Sequence, residues 1–367
     1  MKIMSIVGAR PNFMKVASIA DAARGRDGVD HSIVHTGQHY DERMSGSFFT
    51  DLGLPKPDIN LGIGSGSHAQ QTGRVMMAIE PVLEEQKPDA MIVVGDVNST
   101  LACAITATKM DIPVAHVEAG LRSGDRTMPE EINRLAVDAI CEILHTTDTM
   151  ADACLAREGV DPARVTCVGN TMIDTLLRHK QRAEKQGFPA TLGLESKPYA
   201  VLTLHRPASV DNKDRLSAML TAIRQATEGL HLVFPLHPRT RRNMERFGLM
   251  DMLAGMTVTE PLGYLDFLGL NAGADLVVTD SGGLQEETTI LGVNCVTLRE
   301  NTERPITIDQ GTNRMGGVTP DTIVPAIKEA RATPPSGRVP EMWDGKAGGR
   351  ILDDLARRLG SDGPTRG

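Results

Sequence analysis

Short apolar runs alternate with longer segments of mixed polarity along the whole chain. The runs are rich in Val, Ile and Leu and do not alternate with polar residues. Such continuous runs are typical of strands that are covered on both faces of a parallel sheet. They predict strands at Lys2–Val7, His31–His35, Ala90–Val94, Val114–Val117, His145–Thr147, Tyr199–Leu204, Leu230–Pro235, Met256–Glu260, Leu276–Thr279 and Cys295–Leu298.

Helical spacing of apolar residues separates these strands, for example at Leu101–Lys109, Glu130–Ile143 and Arg215–Glu228. The alternation indicates an α/β fold built from βαβ units. A helix at Asp174–Gln186 followed by glycine and proline marks a break, which favours two doubly wound domains, residues 1–172 and 173–345. Residues 346–367 carry a last amphipathic helix, Arg350–Leu359. Ligands of such sheets bind at the carboxyl ends of the strands, so we expect a cleft site.

Length, charge and cysteine content argue against several classes of function. The 367 residues suit about two domains. With 39 Lys and Arg against 47 Asp and Glu, the net charge is −8, which argues against a general nucleic-acid binder. No apolar stretch approaches the roughly 18 residues of a membrane helix. We expect a cytoplasmic protein with reduced thiols, because the cysteines show no C-x-x-C pair: Cys103, Cys141, Cys154, Cys167 and Cys295.

A turn follows the first strand and carries two cations. Gly8 permits a tight turn, Pro11 suits a first helical position, and Arg10 and Lys15 add positive charge. The free N–H groups of a helix N-terminus bind anions, so the segment indicates a phosphate site. The alternative is a plain strand–turn–helix connection with two solvated cations.

Carboxylates follow two further strands of the first half. Asp96 comes after Ala90–Val94, Glu118 after Val114–Val117, and Glu130 and Glu131 open the next helix. We expect Asp96, Glu118 and one of the latter two to meet at one sheet edge. Clustered carboxylates raise one another's pKa, as a general acid or base requires. The alternative is a capped helix with acids exposed to solvent, which would account for one such carboxylate but less well for three.

The second half offers a better anion-binding turn. Ser281 is placed to cap a helix, Gly282 and Gly283 allow a diphosphate to approach, and Glu287 lies about one turn further on, within reach of ribose hydroxyls. An ordinary helix cap explains the serine but not the paired glycines, which cost stability in a helix. His205 also ends a strand. It is a candidate general acid or a candidate hydrogen-bond donor to a phosphate group.

Metal binding is not predicted. His31, His35 and His39 have helical spacing, but Ser32–Val34 makes that segment a strand. Neither H-E-x-x-H nor a carboxylate set with divalent-metal spacing occurs. We therefore expect neither a metal nor any other cofactor.

Together these motifs resemble the non-hydrolysing UDP-N-acetylglucosamine 2-epimerases, from residue 2 to about residue 359. Each motif alone is weak, but the set in this order is specific. The segments that carry the resemblance are Gly8–Lys15 (GARPNFMK), Gly95–Thr100 (GDVNST), His116–Arg122 (HVEAGLR), Pro129–Arg134 (PEEINR), His205-Arg206, Asp280–Glu287 (DSGGLQEE) and Thr302–Pro305 (TERP).

The resemblance implies a glycosyltransferase-B type fold with the UDP-sugar between two Rossmann-like domains and a terminal helix that returns to the first. It implies reversible epimerisation of UDP-GlcNAc to UDP-ManNAc by anti elimination of UDP through a 2-acetamidoglucal, without a cofactor, in a homodimer. The implied roles are catalytic for Asp96, Glu118, Glu130 and His205, UDP contacts for Arg10, Lys15, Ser281, Gly282, Gly283 and Arg304, ribose binding for Glu287 and uracil binding for Leu262 and Phe267.

Two departures from the family pattern have consequences. Ala208 and Ser209 stand where many relatives have an acid and an amide after His-Arg. Asp41 replaces the second glutamine of the Gln-His-x-x-Gln segment through which some bacterial members are activated by a second substrate molecule, although Gln38 is kept. We therefore expect weak or absent activation by substrate. A sigmoidal dependence of rate on substrate concentration that is lost when Gln38 is changed would contradict this expectation.

Other functions remain open at this stage. A hydrolysing 2-epimerase releases ManNAc and UDP, but such enzymes typically lack the counterparts of Pro11 and Lys15. An epimerase of a UDP-diacetamido sugar differs only in a few loop contacts. A glycosyltransferase requires an acceptor groove, and a non-catalytic UDP-sugar sensor has no use for three clustered acids.

Overall fold

The computed structural model describes residues 1–37, 52–54, 56–335 and 338–360. The chain divides into two compact units, residues 1–175 with 341–367 (unit 1) and residues 176–340 (unit 2). The sequence suggested boundaries at 172/173 and 345/346. No helix in the described ranges is both long and apolar enough to cross a membrane.

Unit 1 contains a parallel sheet in the order β3-β2-β1-β4-β5-β6-β7. Its strands are β1 Lys2–Val7, β2 Asp30–His35, β3 Ile59–Asn60, β4 Ala90–Val94, β5 Val114–Ala119, β6 Ile143–Thr146 and β7 Val165–Cys167. Its helices are α1 Arg10–Ala23, α2 His68–Gln86, α3 Asn98–Lys109, α4 Pro129–Ile140, α5 Thr149–Arg157 and the first turn of α6 Thr171–Gln186, followed much later by α15 Ala347–Leu359.

Unit 2 repeats the arrangement with the sheet order β10-β9-β8-β11-β12-β13. Its strands are β8 Tyr199–Thr203, β9 His231–Pro235, β10 Thr257–Thr259, β11 Leu276–Thr279, β12 Cys295–Thr297 and β13 Asn313–Met315. Besides the rest of α6, its helices are α7 Phe188–Thr191, α8 Pro207–Val210, α9 Lys213–Ala226, α10 Pro238–Phe247, α11 Tyr264–Ala272, α12 Gly282–Leu291, α13 Ile306–Asp309 and α14 Pro320–Ala332.

The continuous apolar runs form the central strands, as predicted. Every residue of β4 is buried, because helices cover both faces of the sheet. The predicted fold class, α/β with two doubly wound parallel sheets, is confirmed. Strands β3, β7 and β13 were not predicted: they are short and contain polar residues, so apolar patterning does not mark them.

The C-terminal helix α15 packs against α1 within unit 1. Trp343, just before it, is buried and donates from Nε1 to the carbonyl of Thr147 at 3.0 Å. A Cβ on Gly348 would lie 2.5 Å from Ser18, so the close approach of α15 to α1 requires glycine at this position.

Candidate active site

Asn12, in the first turn of α1, forms hydrogen bonds with the turn that follows β1. The Asn12 side-chain carbonyl accepts from the amides of Gly8 and Ala9 at 3.1 and 2.9 Å, and its amide donates to the Val94 carbonyl at 3.1 Å. These bonds fix the turn that precedes α1, and the phosphate site that the sequence suggested at the helix N-terminus stays a prediction. Arg10 is the first residue of α1, and its UDP contact stays a prediction.

Lys15 lies buried beside Glu118, and the Lys15 ammonium forms an ion pair with the Glu118 carboxylate. Glu118 has a φ of +72°, in the left-handed region that side-chain-bearing residues rarely adopt. The β5–β6 pairing shifts register at this point, between Val117 and Ala119. This irregularity places the Glu118 carboxylate beside Lys15 at the end of β5.

Gly95 closes the space beside this ion pair. Its φ is +67°, and a Cβ there would lie 2.8 Å from Lys15 Nζ and 3.8 Å from Glu118 Oε2. Glycine is therefore required both by the backbone conformation and by the close approach of the ammonium group. Asp96 follows immediately, so both predicted carboxylates lie at neighbouring strand ends.

Asp96 forms an ion pair with the buried Arg134, which also binds Glu131 through Nε and Nη2 at 2.9 and 2.6 Å. Glu131 accepts from the amides of Ser123 and Gly124 at 3.0 and 2.8 Å. Burial alone would raise the pKa of Glu131, but these hydrogen bonds and the Arg134 charge outweigh it and lower the pKa. Glu131 therefore anchors the loop before α4 as an anion.

The sequence suggested a like-charged cluster of three acids, Asp96, Glu118 and either Glu130 or Glu131, but the structure places cations among them. Glu118 and Asp96 each face a buried cation, and Glu131 shares the cation of Asp96. Glu130, for which the resemblance implies a catalytic role, lies exposed in the first turn of α4. Its catalytic role stays a prediction.

His205 is held by an aspartate that sequence analysis did not single out. Asp280 is fully buried at the end of β11 and accepts from His205 Nδ1 at 2.8 Å. It also accepts from the amides of His205 and Arg206 at 2.9 and 2.8 Å. Burial alone would raise the pKa of Asp280, but His205 and the two amides lower it. The His205 ring remains 40% exposed, with Nδ1 committed to Asp280.

The turn before α12 differs from the predicted cap. Ser281 is the N-cap residue, but its side chain makes no capping hydrogen bond, contrary to the expectation that it caps the helix. A Cβ on Gly282 would lie 2.6 Å from Arg304 Nη1 and 2.8 Å from Glu303 Oε1. Gly282 thus leaves room for an arginine and a glutamate at the helix start, and the approach of a diphosphate to Gly282 and Gly283 stays a prediction.

Arginines surround this helix start. Arg304 binds Glu303 at 2.6 Å and Glu286 at 3.0 Å, and Arg299 binds the other oxygen of Glu303 at 2.8 Å. Arg206 approaches Glu303 at 3.9 Å. Burial alone would raise the pKa of Glu303, but the arginines hold it well below its usual range. Three arginines thus share two glutamates beside the helix N-terminus.

Glu287 has a different environment although it is the next residue after Glu286. Burial raises its pKa to about 8, and the neighbouring charge of Glu286 adds to the shift. Burial and Glu287 together raise the pKa of Tyr264 well above its usual range. Leu262 and Phe267, the expected uracil contacts, are partly buried and pack against the apolar core that contains Tyr199 and Leu284.

The predicted site residues thus fall into two groups, one in each unit. Asp96, Glu118 and Lys15 lie at the strand ends of unit 1, and His205, Ser281, Gly282, Glu287 and Arg304 lie at those of unit 2. Gln38, His39 and Asp41 lie outside the described residues. Within the described residues, no group of His, Cys, Asp and Glu has an arrangement that suits a metal ion.

Known proteins resemble this chain over nearly its whole length. Residues 21–356 match the family described as UDP-N-acetylglucosamine 2-epimerase. The UDP-N-acetylglucosamine 2-epimerase of Methanocaldococcus jannaschii is 42% identical over 361 residues, 96% of this chain and 98% of its own. Its crystal structure in complex with UDP-GlcNAc and UDP superposes with a TM-score of 0.91, covering 97% of this chain and 100% of that one.

A second relative has a different named substrate. The UDP-2,3-diacetamido-2,3-dideoxy-D-glucuronate 2-epimerase of Pseudomonas aeruginosa is 40% identical over 361 residues, 97% of this chain and 100% of its own. The resemblance drawn from the motifs and the glycosyltransferase-B type fold that it implied are both confirmed. The chain belongs to the UDP-N-acetylglucosamine 2-epimerase family.

Proposed function

We propose that this protein interconverts UDP-GlcNAc and UDP-ManNAc without hydrolysing them. The observation that carries the proposal is the pair of carboxylates at neighbouring strand ends of unit 1, Glu118 beside Lys15 and Asp96 beside Arg134. A carboxylate is the type of group that accepts a proton from carbon in general base catalysis. The Methanocaldococcus relative supports the choice of substrate.

In the proposed reaction a carboxylate removes the C2 proton while the bond between C1 and the β-phosphate oxygen breaks. The bonding electrons leave with UDP, and a C1=C2 double bond remains in the 2-acetamidoglucal. UDP then re-forms the C1–O bond as a proton is delivered to the opposite face of C2. No net oxidation occurs, so the balance requires no redox partner. We assign the proton transfers to Asp96, Glu118 and Glu130 as a group.

Unit 2 is proposed to hold the nucleotide. The N-terminus of α12, Ser281, Gly282 and the arginines beside them suit a diphosphate, whose negative charge grows as UDP leaves. His205, fixed through Nδ1 by Asp280, is proposed to donate from Nε2 to the departing phosphate. Glu287 is proposed to bind the ribose hydroxyls, and Leu262 and Phe267 the uracil ring.

A UDP-diacetamido-uronate is the second candidate substrate, because the Pseudomonas relative is nearly as similar as the Methanocaldococcus one. The proposed elimination at C2 is the same for both sugars. The two sugars differ at C3 and at C6. The uronate has a second acetamido group at C3, and its carboxylate at C6 adds a negative charge.

Proton NMR in D2O tests the proposal, with UDP-GlcNAc and the diacetamido-uronate as separate substrates. We expect UDP-ManNAc carrying deuterium at C2 and no accumulation of free ManNAc. Free ManNAc and UDP would instead indicate a hydrolysing enzyme, and turnover of the uronate alone would indicate the second substrate. The matched control is Glu118→Gln, which leaves the nucleotide-binding unit unchanged and is expected to show no exchange. Binding of UDP without turnover of either sugar would indicate a sensor.

A further inference from the structure

Asp138, a buried residue of α4, joins three points of the segment that contains Glu118. One carboxylate oxygen lies 2.6 Å from His116 Nδ1. The other accepts from the amide of Gly120 at 3.0 Å and pairs with Arg122 at 2.7 Å. A single carboxylate therefore fixes the chain two residues before and two residues after Glu118.

His116 makes a second hydrogen bond on the opposite side of its ring. Its Nε2 lies 2.8 Å from the carbonyl oxygen of Gly95. A carbonyl oxygen only accepts, so Nε2 carries a proton. Asp138 pairs with Arg122 and accepts from the Gly120 amide, as a carboxylate does, so it is placed to accept from Nδ1 as well. Each nitrogen of the fully buried His116 ring thus faces an acceptor, Nδ1 facing Asp138 and Nε2 facing Gly95.

These bonds meet at the two strained points of the site. The amide of Gly95 donates to the Val117 carbonyl at 3.1 Å, so His116 and Val117 together fix the peptide groups on either side of the Gly95 Cα. Glu118 keeps its φ of +72° between two residues that Asp138 holds. Strained backbone persists only where the surrounding structure determines it, and here Asp138 and His116 do so.

We propose that His116 is a positioning residue, held as a doubly protonated ring by Asp138, and that this pair sets the positions of the Glu118 and Asp96 carboxylates for the proton transfers at C2. The proposal rests on the proposed function for what the carboxylates do, but not for the state of the ring. Neither His116 nor Asp138 contacts the Lys15–Glu118 pair through the bonds described, so both act through the backbone of Gly95 and Gly120.

His145 provides a matched control in the neighbouring strand. It is also fully buried and also binds an aspartate, with Nε2 2.9 Å from Asp354 Oδ2 on α15. Its Nδ1 has no hydrogen-bond partner among the described residues. Burial, as the largest influence, lowers the pKa of His145. A singly protonated ring is expected here, and it is attached to the C-terminal helix instead of the Gly95 turn.

The first test is a ring ¹⁵N spectrum of the histidine-labelled protein at neutral pH, with the signals assigned from His116→Gln and His145→Gln. We expect the His116 ring to show two protonated nitrogens and the His145 ring one. Asp138→Asn should convert the His116 ring to the singly protonated form, because an amide donates to Nδ1. A singly protonated His116 in the wild-type protein overturns the proposed ring state.

The second test compares the kinetics of the two glutamine variants. Glutamine at 116 cannot reach both Gly95 and Asp138, so we expect kcat to fall about 100-fold, with KM and the Kd for UDP changed less than about threefold. His145→Gln should keep kcat within about twofold of the wild type. Equal kcat values for the two variants overturn the positioning role.

The two tests remain separable from the proposed function. If the wild type acts on the diacetamido-uronate and not on UDP-GlcNAc, the substrate assignment fails, and the kinetic comparison is made on the uronate. If it turns over neither sugar, the proposed function fails and the proposed positioning role falls with it, whereas the ring spectrum still decides the state of His116. If His116→Gln does not fold, Asp138→Asn takes its place, because it keeps the size of the side chain and one accepting oxygen while it reverses the bond to Nδ1. Unchanged kcat together with loss of a ring proton then refutes the need for the cation.

Discussion

The two units have sheets of the same type but place opposite chemistry at the strand ends. In both, the chain starts at a central strand, fills one side of the parallel sheet and then crosses to the other. The strand ends of unit 1 carry carboxylates, each matched to one buried cation, Lys15 or Arg134. Those of unit 2 carry three arginines that share two glutamates. The sheet determines where the functional loops lie, and the loop residues determine what they do.

This difference leads us to expect a separation of roles, with proton transfer in unit 1 and nucleotide binding in unit 2. Substitutions of Asp96 and Glu118 in unit 1 should lower kcat at unchanged UDP affinity, and substitutions of Ser281 and Glu287 in unit 2 should do the reverse. The predictions below test the separation, beginning with the largest expected effect.

Glu118→Gln should lower kcat by about 10³-fold, because it removes a carboxylate from the proposed proton transfers. The Kd for UDP should stay within about twofold, as measured by calorimetry. Lys15 would lose its buried partner, so thermal unfolding must be recorded in parallel to exclude loss of the fold. Asp96→Asn is the companion variant with the same expected result. Near-normal turnover in both variants would eliminate the proposed mechanism.

Ser281→Ala combined with Glu287→Ala should raise the Kd for UDP by about 10- to 100-fold. Each side chain is expected to supply hydrogen bonds to the nucleotide, and each such bond contributes on the order of 1 kcal/mol or more. At saturating substrate kcat should change little, since the carboxylates of unit 1 are untouched. Unchanged affinity would mean that the nucleotide site lies elsewhere.

Glu130 and Glu131 are adjacent in sequence but should respond in opposite ways. Glu131→Gln should destabilise the fold by about 3 kcal/mol, because it breaks the buried pair with Arg134. Glu130→Gln, at an exposed position, should leave the unfolding temperature unchanged and lower kcat. Thermal unfolding and steady-state rates of both variants decide the matter. If Glu130→Gln retains full kcat, Glu130 has no catalytic role.

The sequence alone predicted the scaffold and the places where its chemistry lies. Apolar runs marked the central strands because these are buried on both faces, and the glycine pair marked the start of α12. Residue types at strand ends also identified Glu118 and His205 as candidates.

The sequence did not predict contacts between residues that are distant along the chain. Asp280 lies 75 residues from His205, and the Lys15–Glu118 pair spans 103 residues. The pattern of one strand and its turn carries no information about such partners. For the same reason sequence analysis grouped the acids as mutually repelling, whereas buried cations pair with them. Asp138 had no signal of its own, since an aspartate on a helix is ordinarily a solvated residue.

The last prediction is a pH dependence of stability that comes from Glu287. Its pKa is raised to about 8 in the folded protein from an ordinary value of 4.5. Between these values the folded state keeps a proton that the unfolded chain has lost, so the contribution of Glu287 to stability is complete below pH 4.5 and declines as the pH rises to about 8. Glu287→Gln cannot ionise, and its stability should therefore exceed that of the wild type by an amount that grows across this window, on the order of a few kcal/mol at most, and then levels off. Chemical denaturation at intervals from pH 4.5 to 9 measures the difference, with Glu130→Gln as the exposed control, which should show no such growth. A constant difference between wild type and Glu287→Gln would mean that Glu287 is ionised in the folded protein, and unit 2 would then carry the same charge-paired carboxylates as unit 1.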